Sequence, residues 1–297
     1  MRPAEIGFLL LSSHLGDPER KPLTTAQLRT LADRSWKLDI RDADREMNAD
    51  DLIALGYGRE IAQRILNLLS QGNLLEEYLR IARHKGCYPI TRVSEGYPLI
   101  VRKRLGLDSP GVLWAKGDAE ILNKPKISLV GSRDIRPKNR EFAREVGRQA
   151  ALQGYALVSG NARGSDREAQ QACLAAGGQV IVVVADSLAE QTEKENVLYL
   201  SEEDFDLEFS AQRALSRNRV IHCLGDLVMV AQCTLAAGGT WDGTARNLRH
   251  GWSRVCCYAD GSAAVRELEQ MGAQTVGLES LWCFEQIHQP QPCFFDQ

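Results

Sequence analysis

The sequence predicts an α/β protein in which a doubly wound parallel sheet is preceded by a small helical domain. From residue 126 onward, short apolar runs alternate with segments of helical periodicity, which is the pattern of parallel strands joined by crossover helices. The first 85 residues instead carry apolar side chains at helical spacing. The 297 residues allow about two domains, and 44% hydrophobic residues are enough to form a core.

The helical region, residues 1–85, contains one motif with a possible function. Segment 51–66 predicts a helix that ends at Gly56, a tight turn through Gly58 and a second helix. This pattern is typical of a helix-hairpin-helix, whose free backbone N–H groups can bind a phosphate. Two packed helices joined by a glycine turn have the same pattern, so both interpretations stay open.

The second domain is expected to span residues 86–285 and to begin with a connector, residues 86–124, whose short apolar pieces are interrupted by prolines. The run Val180–Ala185 is continuously apolar, as in a strand that is covered on both faces. Residues 286–297 are expected to form a tail. Helices are predicted at 139–153 and 166–176. The predicted strands are Ile127–Val130, Tyr155–Ser159, Val180–Ala185, Leu227–Ala231 and Arg254–Tyr258.

The composition argues against secreted and membrane proteins. No apolar run approaches the ~20 residues that a transmembrane helix needs, and the apolar stretch near the N-terminus is too short for a secretory signal. The 8 cysteines include no C-x-x-C pair and are too sparse for a disulfide scaffold. We therefore expect a cytoplasmic protein with reduced thiols.

The charge is unevenly distributed. The formal net charge is -3, yet the segment Arg80–Ala150 contains 16 Lys or Arg and 7 Asp or Glu. A basic segment in an otherwise acidic chain indicates an anionic ligand on one face. Arginine also outnumbers lysine by 27 to 9, and guanidinium groups bind phosphate in a bidentate way. Genomic base composition would produce the same arginine excess, so this count does not identify the ligand.

Gly-, Ser- and Arg-rich segments flank the predicted strands. Residues 131–133 follow the first strand, 160–166 follow the second, and 216–219 and 236–244 flank the fourth. Ligands of open parallel sheets bind beyond the carboxyl ends of the strands, where these segments would meet. Glycine allows close backbone approach, and hydroxyl, N–H and guanidinium groups bind phosphate oxygens. The segments therefore predict a phosphate-rich ligand, although they contain neither a P-loop nor a G-x-G-x-x-G fingerprint.

The order of these motifs resembles the DprA/Smf family of DNA-processing proteins. The motifs are Val-Gly-Ser-Arg at 130–133, Ser-Gly-Asn-Ala-Arg-Gly-Ser-Asp at 159–166, Arg-Asn-Arg-Val-Ile at 217–221 and Gly-Ser-Ala-Ala-Val at 261–265. The resemblance implies a Rossmann-like domain that binds single-stranded DNA. It further implies that the protein protects the strand, loads a RecA-type recombinase during transformation or recombination, and forms a homodimer.

The resemblance also implies which residues bind the DNA phosphates. They are Gly131, Ser132, Arg133, Ser159, Gly160, Asn161, Arg163, Gly164, Arg217, Asn218, Arg219, Gly239 and Thr240. Trp241 is a candidate for base stacking, because it is expected in a polar, glycine-rich loop and aromatic side chains are common stacking platforms for single strands.

The alternative is a nucleotide-binding sensor or a nucleotide-processing protein of the related Rossmann-like superfamily. Enzymes of that group are similar in sequence but use a Pro-Gly-Gly-x-Gly-Thr-x-x-Glu loop. Here the segment 238–244 is followed by Ala245, Arg246 and Asn247, so the acidic residue is absent. The sequence contains no Ser-His-Asp spacing and no clustered metal ligands. We therefore expect a protein that is not an enzyme and that needs neither a cofactor nor a metal.

Overall fold

The computed structural model describes residues 1–35 and 47–288. Within these ranges the helices are α1 Pro3–Ser12, α2 Thr25–Ser35, α3 Ala49–Ala54, α4 Arg59–Leu69, α5 Gly72–His84, α6 Leu99–Leu105, α7 Pro137–Leu152, α8 Ser165–Ala175, α9 Ala211–Ser216, α10 Asn218–Leu224, α11 Gly238–His250, α12 Ala263–Gln270 and α13 Phe284–His288. The strands are β1 Cys87–Thr91, β2 Val112–Lys116, β3 Lys126–Val130, β4 Ala156–Ser159, β5 Gln179–Val183, β6 Val197–Ser201, β7 Leu227–Val230, β8 Arg254–Tyr258 and β9 Gln274–Val276.

The strands form one 9-stranded sheet in the order β1-β2-β6-β5-β4-β3-β7-β8-β9. Neighbouring strands from β6 to β9 in this order pair in parallel. The chain runs from β3 outward to β6 and then returns to build β7, β8 and β9 on the other side of β3. The predicted doubly wound α/β fold is confirmed, and the topological switch point lies beside β3, where ligands of such sheets bind.

Helices cover both faces of the sheet, which explains why its central strands are apolar throughout. On one face, α7 and α8 pack in an apolar cluster that contains Phe142 and Val146. The two helices pack closely at Gly147, where an added Cβ would lie only 2.0 Å from the carbonyl oxygen of Ala169. On the other face, α6, α10 and α12 contribute to a second cluster, which contains Val101 and Leu268.

The structure differs from the predicted second domain in three places. The predicted connector contains β1, α6 and β2, and its two strands extend the sheet in antiparallel orientation. Pro89 fits in β1 because that strand lies at the edge of the sheet. Strand β6 was also not predicted, although all five of its residues are buried. Finally, residues 286–288 belong to α13 rather than to a tail, while the rest of the predicted tail lies outside the described residues.

The described elements of the first 85 residues are all helices, as predicted, and two of them share the core of the sheet. Leu9 of α1 and Leu75 of α5 belong to the same apolar cluster as α7 and α8. The ring of Tyr78 in α5 lies 5.5 Å from that of Trp114 in β2, in an edge-on arrangement. Helices α2, α3 and α4 have a smaller cluster of their own, which contains Leu52. No helix in the described residues has both the length and the apolar character needed to cross a membrane.

Helices α3 and α4 form the predicted hairpin. Gly56 adopts a left-handed conformation with φ of 85°, which only glycine adopts without a steric penalty. Gly58 is the N-cap of α4, and no side chain caps this end of the helix. The geometry fits either interpretation of the segment, and the helix-hairpin-helix function stays a prediction.

We expect Leu9→Ala to destabilise the whole sheet because Leu9 is fully buried in the shared core. Truncating a buried leucine lowers the free energy of unfolding by about 2–5 kcal/mol. Ile6→Ala in the same helix is the matched control. Ile6 is 38% exposed, so its truncation should lower the free energy of unfolding by about 1 kcal/mol or less. Urea denaturation followed by far-UV circular dichroism measures both. An unchanged midpoint for Leu9→Ala would mean that α1 folds independently of the sheet.

Candidate phosphate-binding cleft

A cleft of about 490 Å³ opens beside the switch point, beyond the carboxyl ends of β3 and β4. Its walls come from the loops that follow these strands and from α9, α10 and the start of α11. Eight of the predicted phosphate-binding residues line it: Gly131, Ser132, Arg133, Gly160, Arg217, Asn218, Gly239 and Thr240. Residues from four separate segments of the sequence therefore meet in one cavity.

Hydrogen bonds between the loops hold the cleft together. The hydroxyl of Ser165, at the start of α8, donates to the carbonyl of Ser132 at 3.0 Å. The hydroxyl of Thr240, in the first turn of α11, donates to the carbonyl of Gly131 at 3.0 Å. An added Cβ at Gly131 would lie 2.2 Å from the Ser165 hydroxyl. Glycine at position 131 therefore allows the loops after β3 and β4 to pack directly against each other.

Arg217 provides a buried positive charge in the cleft. It is the N-cap residue of α10 and only 8% of its surface is exposed. An added Cβ at Gly160 would lie 2.0 Å from its Nη1 atom, so the guanidinium rests against the Gly160 backbone. Its Nε atom is buried and has no hydrogen-bond partner among the described residues. Burial lowers the pKa of Arg217, and a buried cation with an unused donor is stabilised by a bound anion.

Asp166 is a buried carboxylate in the same cleft. Burial raises its pKa to about 6, while the positive charge of Arg217 and the N–H group of Ala162 act in the opposite direction. The Ala162 N–H donates to Asp166 Oδ2 at 3.3 Å. Asp166 thus compensates part of the charge of Arg217 through space, and the guanidinium keeps its Nε donor unused.

The N-terminus of α11 adds backbone donors. Its N-cap residue, Ala237, makes no side-chain capping bond, and the first turn contains no acidic residue. Gly238 and Gly239 line the cleft at this point. The first N–H groups of a helix have no partners within the helix and carry partial positive charge. This end of α11 therefore reinforces the positive character of the cleft.

The remaining predicted residues lie around the cleft or away from it. Ser159 is fully buried, and its hydroxyl accepts a hydrogen bond from Gln170 Nε2 at 2.7 Å. The Asn161 amide donates to Gln191 Oε1 at 3.3 Å. Gly164 has φ of 81°, and an added Cβ would lie 2.3 Å from the Arg133 carbonyl oxygen. These three positions support the loops that form the cleft.

The structure separates two predicted arginines from the cavity. Arg163 is exposed and lies 3.5 Å from a carboxylate oxygen of Asp134. Arg219 Nη2 lies 3.0 Å from Glu202 Oε2, and its Nη1 donates to the carbonyl of Asp108 at 2.5 Å. Neither arginine lines the cleft.

Trp241 does not lie in a loop as expected. It is in the first turn of α11 and is half-buried against the second apolar cluster. The aromatic residue of the cleft is Phe209, which is 57% exposed and which the sequence did not single out. Ala214 and Leu215 are further apolar residues of the lining, and Leu215 lies beside Gly239. The sequence feature that could have identified Phe209 is its position only eight residues before Arg217. The segment just before it, residues 202–208, is acidic, and this made a role in anion binding less evident.

Within residues 1–35 and 47–288, no group of three or more His, Cys, Asp or Glu side chains could hold a metal ion. The polar groups of the cleft are mostly donors: guanidinium, hydroxyl, amide and backbone N–H. An anion with several oxygen acceptors fits this donor set.

Comparison with known proteins identifies the family of this chain. The model of the family described as DNA recombination-mediator protein A matches residues 89–250. The chain belongs to this family. It is 30% identical over 170 residues to the DNA processing protein DprA of Bacillus subtilis (strain 168). The matched region covers 53% of this chain and 56% of that protein. It is 28% identical over 142 residues to the protein Smf of Escherichia coli (strain K12), which covers 44% and 38% of the two chains. The resemblance to DprA/Smf proteins is confirmed. The matched regions span about half or less of the length of these relatives.

Two solved structures of family members have the same fold. The X-ray structure of DprA from Streptococcus pneumoniae has a TM-score of 0.63 and 23% identity, over 86% of this chain and 95% of that chain. A structure that describes the single-stranded DNA binding mode of DNA processing protein A from Helicobacter pylori has a TM-score of 0.57 and 21% identity. It covers 69% of this chain and 97% of that chain.

We expect the Asp166 carboxyl to titrate near pH 6, above its usual value of 3.8, because the group is buried. A folded-state pKa above the unfolded value contributes stability that is fully present below pH 3.8 and is lost as pH rises through about 6. Carboxyl ¹³C NMR measures the titration, and Asp166→Asn identifies the resonance. Arg217→Met should raise this pKa further, since it removes the nearby positive charge. Titration near pH 4 in the unmodified protein would contradict the burial argument.

Proposed function

We propose that this protein acts in DNA processing by binding single-stranded DNA through its phosphates, with little reading of base sequence. The observation that carries the proposal is the buried guanidinium of Arg217, whose Nε has no hydrogen-bond partner in the part of the chain that the structure describes. A phosphate would supply both the missing acceptor and the missing negative charge. Membership in the recombination-mediator family supports a nucleic acid as the source of that phosphate.

The surroundings of the cleft favour a polymer over an isolated phosphate. Arg133 of the cleft is exposed, and the same segment of the chain carries the exposed cations Arg136 and Lys138, which can neutralise further phosphates of the same strand. The exposed ring of Phe209, in the lining of the same cleft, offers a stacking surface for a base. A phosphate site and a base site in one cleft suit the repeating unit of a single strand.

Family membership supports three finer proposals. The protein would protect single-stranded DNA, pass it to a RecA-type recombinase and act as a homodimer. The proposal gives the cleft a binding role and includes no catalytic step.

A mononucleotide is the second candidate ligand. The volume of about 490 Å³ lies within the range of small-ligand pockets. A nucleotide sensor would use the same Arg217 and the same apolar residues of the lining as a DNA-binding protein. The two candidates therefore differ in the length of the ligand rather than in the chemistry of the cleft.

Fluorescence anisotropy distinguishes these candidates. A labelled single strand of about 20 nucleotides, the length range over which several phosphate contacts form, is titrated at several salt concentrations. Duplex DNA and a mononucleotide serve as competitors. Tight, salt-dependent binding that is displaced only by other single strands supports the proposal. Displacement by the mononucleotide indicates a nucleotide sensor, and absence of DNA binding overturns the proposal.

Arg133→Ala should weaken binding to all sequences by the same factor, because a phosphate contact carries no base information. The salt slope should decrease in magnitude by roughly 0.7, the value of one contact on a single strand. Arg80→Ala is the control, since Arg80 is an exposed arginine of α5 that lies outside the cleft and pairs with Glu77. Equal effects of the two variants would mean that Arg133 contributes only general charge.

Phe209→Ala should reduce the binding free energy by about 1–3 kcal/mol, the range for loss of one stacked base. The salt slope should not change, because no charge is removed. Trp282→Ala is the matched control: its ring is 70% exposed, and it lies near the C-terminal end of α7, where Gln153 contacts the neighbouring Leu281. Anisotropy titrations measure both variants, and wild-type affinity for Phe209→Ala would exclude stacking at this position.

A further inference from the structure

A second unpartnered donor lies at the inner end of the cleft. His222 of α10 lines the cleft and is completely buried. It follows Asn218, another residue of the cleft, by one helical turn, so the two side chains share a face of α10. The Nε2 atom of His222 is buried and has no hydrogen-bond partner within residues 1–35 and 47–288. Buried polar atoms are normally paired with protein atoms or with water, so a donor of this kind beside a cleft is a candidate contact for a ligand.

A hydrogen-bond network determines which ring nitrogen carries the proton. The N–H group of Ser253 donates to Asn247 Oδ1 at 2.9 Å, which fixes the orientation of the amide. Asn247 Nδ2 then donates to His222 Nδ1 at 3.1 Å. Nδ1 therefore acts as an acceptor, and the proton of the neutral ring resides on Nε2. Burial lowers the pKa of His222 to about 3, so the ring stays neutral at physiological pH and Nε2–H is a donor.

A glycine leaves space beside this donor. Gly243 is a buried residue in the interior of α11, where glycine is less favourable for a helix than alanine. An added Cβ would lie 3.1 Å from His222 Nε2 and 3.5 Å from Asn218 Cβ. A side chain at position 243 would therefore press directly on Nε2, and glycine leaves that position next to the donor unfilled.

We propose that the Nε2–H group of His222 is a neutral donor to a phosphate oxygen at the inner end of the cleft. The inference rests on the proposed function, and it extends the phosphate site from the cationic Arg217 to an uncharged group that no sequence motif indicates. A neutral donor adds an oriented hydrogen bond without another charge, so it does not increase the cost of burying cations. The phosphate can come from a DNA strand or from a nucleotide, and both satisfy the same chemistry.

The direct test is two-bond ¹H–¹⁵N NMR of the histidine rings in the full chain, with His222→Asn used to assign the signals. Without ligand, the pattern of His222 should be that of a neutral ring with its proton on Nε2. A 20-nucleotide strand, thymidine monophosphate and inorganic phosphate are then added separately. At least one of them should shift the Nε2 signal of His222. A shift with the strand alone identifies a polymer phosphate, and a shift with the monophosphate identifies a nucleotide phosphate.

Three variants test the effect on affinity. His222→Asn removes the group at the Nε2 position and should weaken binding roughly ten-fold, the order expected for loss of one hydrogen bond to a charged acceptor. His222→Gln places an amide N–H at about the Nε2 position and should bind more tightly than His222→Asn. Gly243→Ala keeps the imidazole but fills the space beside it. It should weaken binding because the new methyl group contacts Nε2, and a thermal melt establishes that the variant is folded.

The outcomes separate this inference from the proposed function. If the strand binds the wild-type protein but does not shift Nε2, and all three variants bind like the wild type, then Nε2–H binds only a buried water and the inference is wrong. In that case DNA binding through Arg217 stands. If the wild-type protein does not bind the strand, the proposed function is wrong. The monophosphate and inorganic phosphate titrations then still decide whether His222 contacts a phosphate.

Discussion

The cleft depends on the contact between the guanidinium of Arg217 and the backbone of Gly160. A side chain at position 160 would occupy the place of the guanidinium, so glycine allows α10 to bring its first residues against the loop after β4. The contact buries a positive charge, which is costly unless negative charge lies nearby. Asp166 provides part of that charge from the start of α8, and its own pKa rises because it is buried too. The protein thus contains a cation that is only partly compensated, at the position where ligands of such sheets bind.

The sheet topology explains why residues distant in sequence form this site. The chain leaves β3 in one direction and later returns to its other side, so the loops after β3 and β4 lie next to α10 and α11. The hydroxyl groups of Ser165 and Thr240 then join these loops through the carbonyl groups of Ser132 and Gly131. The bonds use carbonyl acceptors and leave N–H and guanidinium donors for a ligand. The fold therefore determines both the position and the polarity of the cleft.

The sequence predicted the parallel core better than the edge of the sheet. Strands covered on both faces are continuous apolar runs, a local signal that identified five of them. Strands β1 and β2 are defined by pairing with each other and with β6, and such long-range pairing leaves no comparable local pattern. The loops of the cleft were predicted because the position of a ligand site follows from topology.

Side-chain direction within a loop or helix was less predictable. Arg217 and Arg219 are two residues apart, and an α-helix turns by about 200° over that distance. One arginine therefore faces the cleft and the other faces Glu202. Trp241 was predicted to lie in a loop because its neighbours are glycines. These glycines instead form the first turn of α11. The sequence also gave no indication of His222, whose donor is defined by contacts with Asn247 across two helices.

The lining of the cleft combines two kinds of residue, and this combination constrains the proposed ligand. The glycine-rich loops and Arg217 provide donors, whereas Phe209 and Leu215 are apolar. A simple inorganic anion would use only the donors and would leave an exposed aromatic ring unexplained. A nucleotide unit combines an anionic phosphate with a flat, largely apolar base and can use both kinds of residue at once. The apolar part of the lining is therefore the feature that connects a phosphate site to a nucleic-acid ligand.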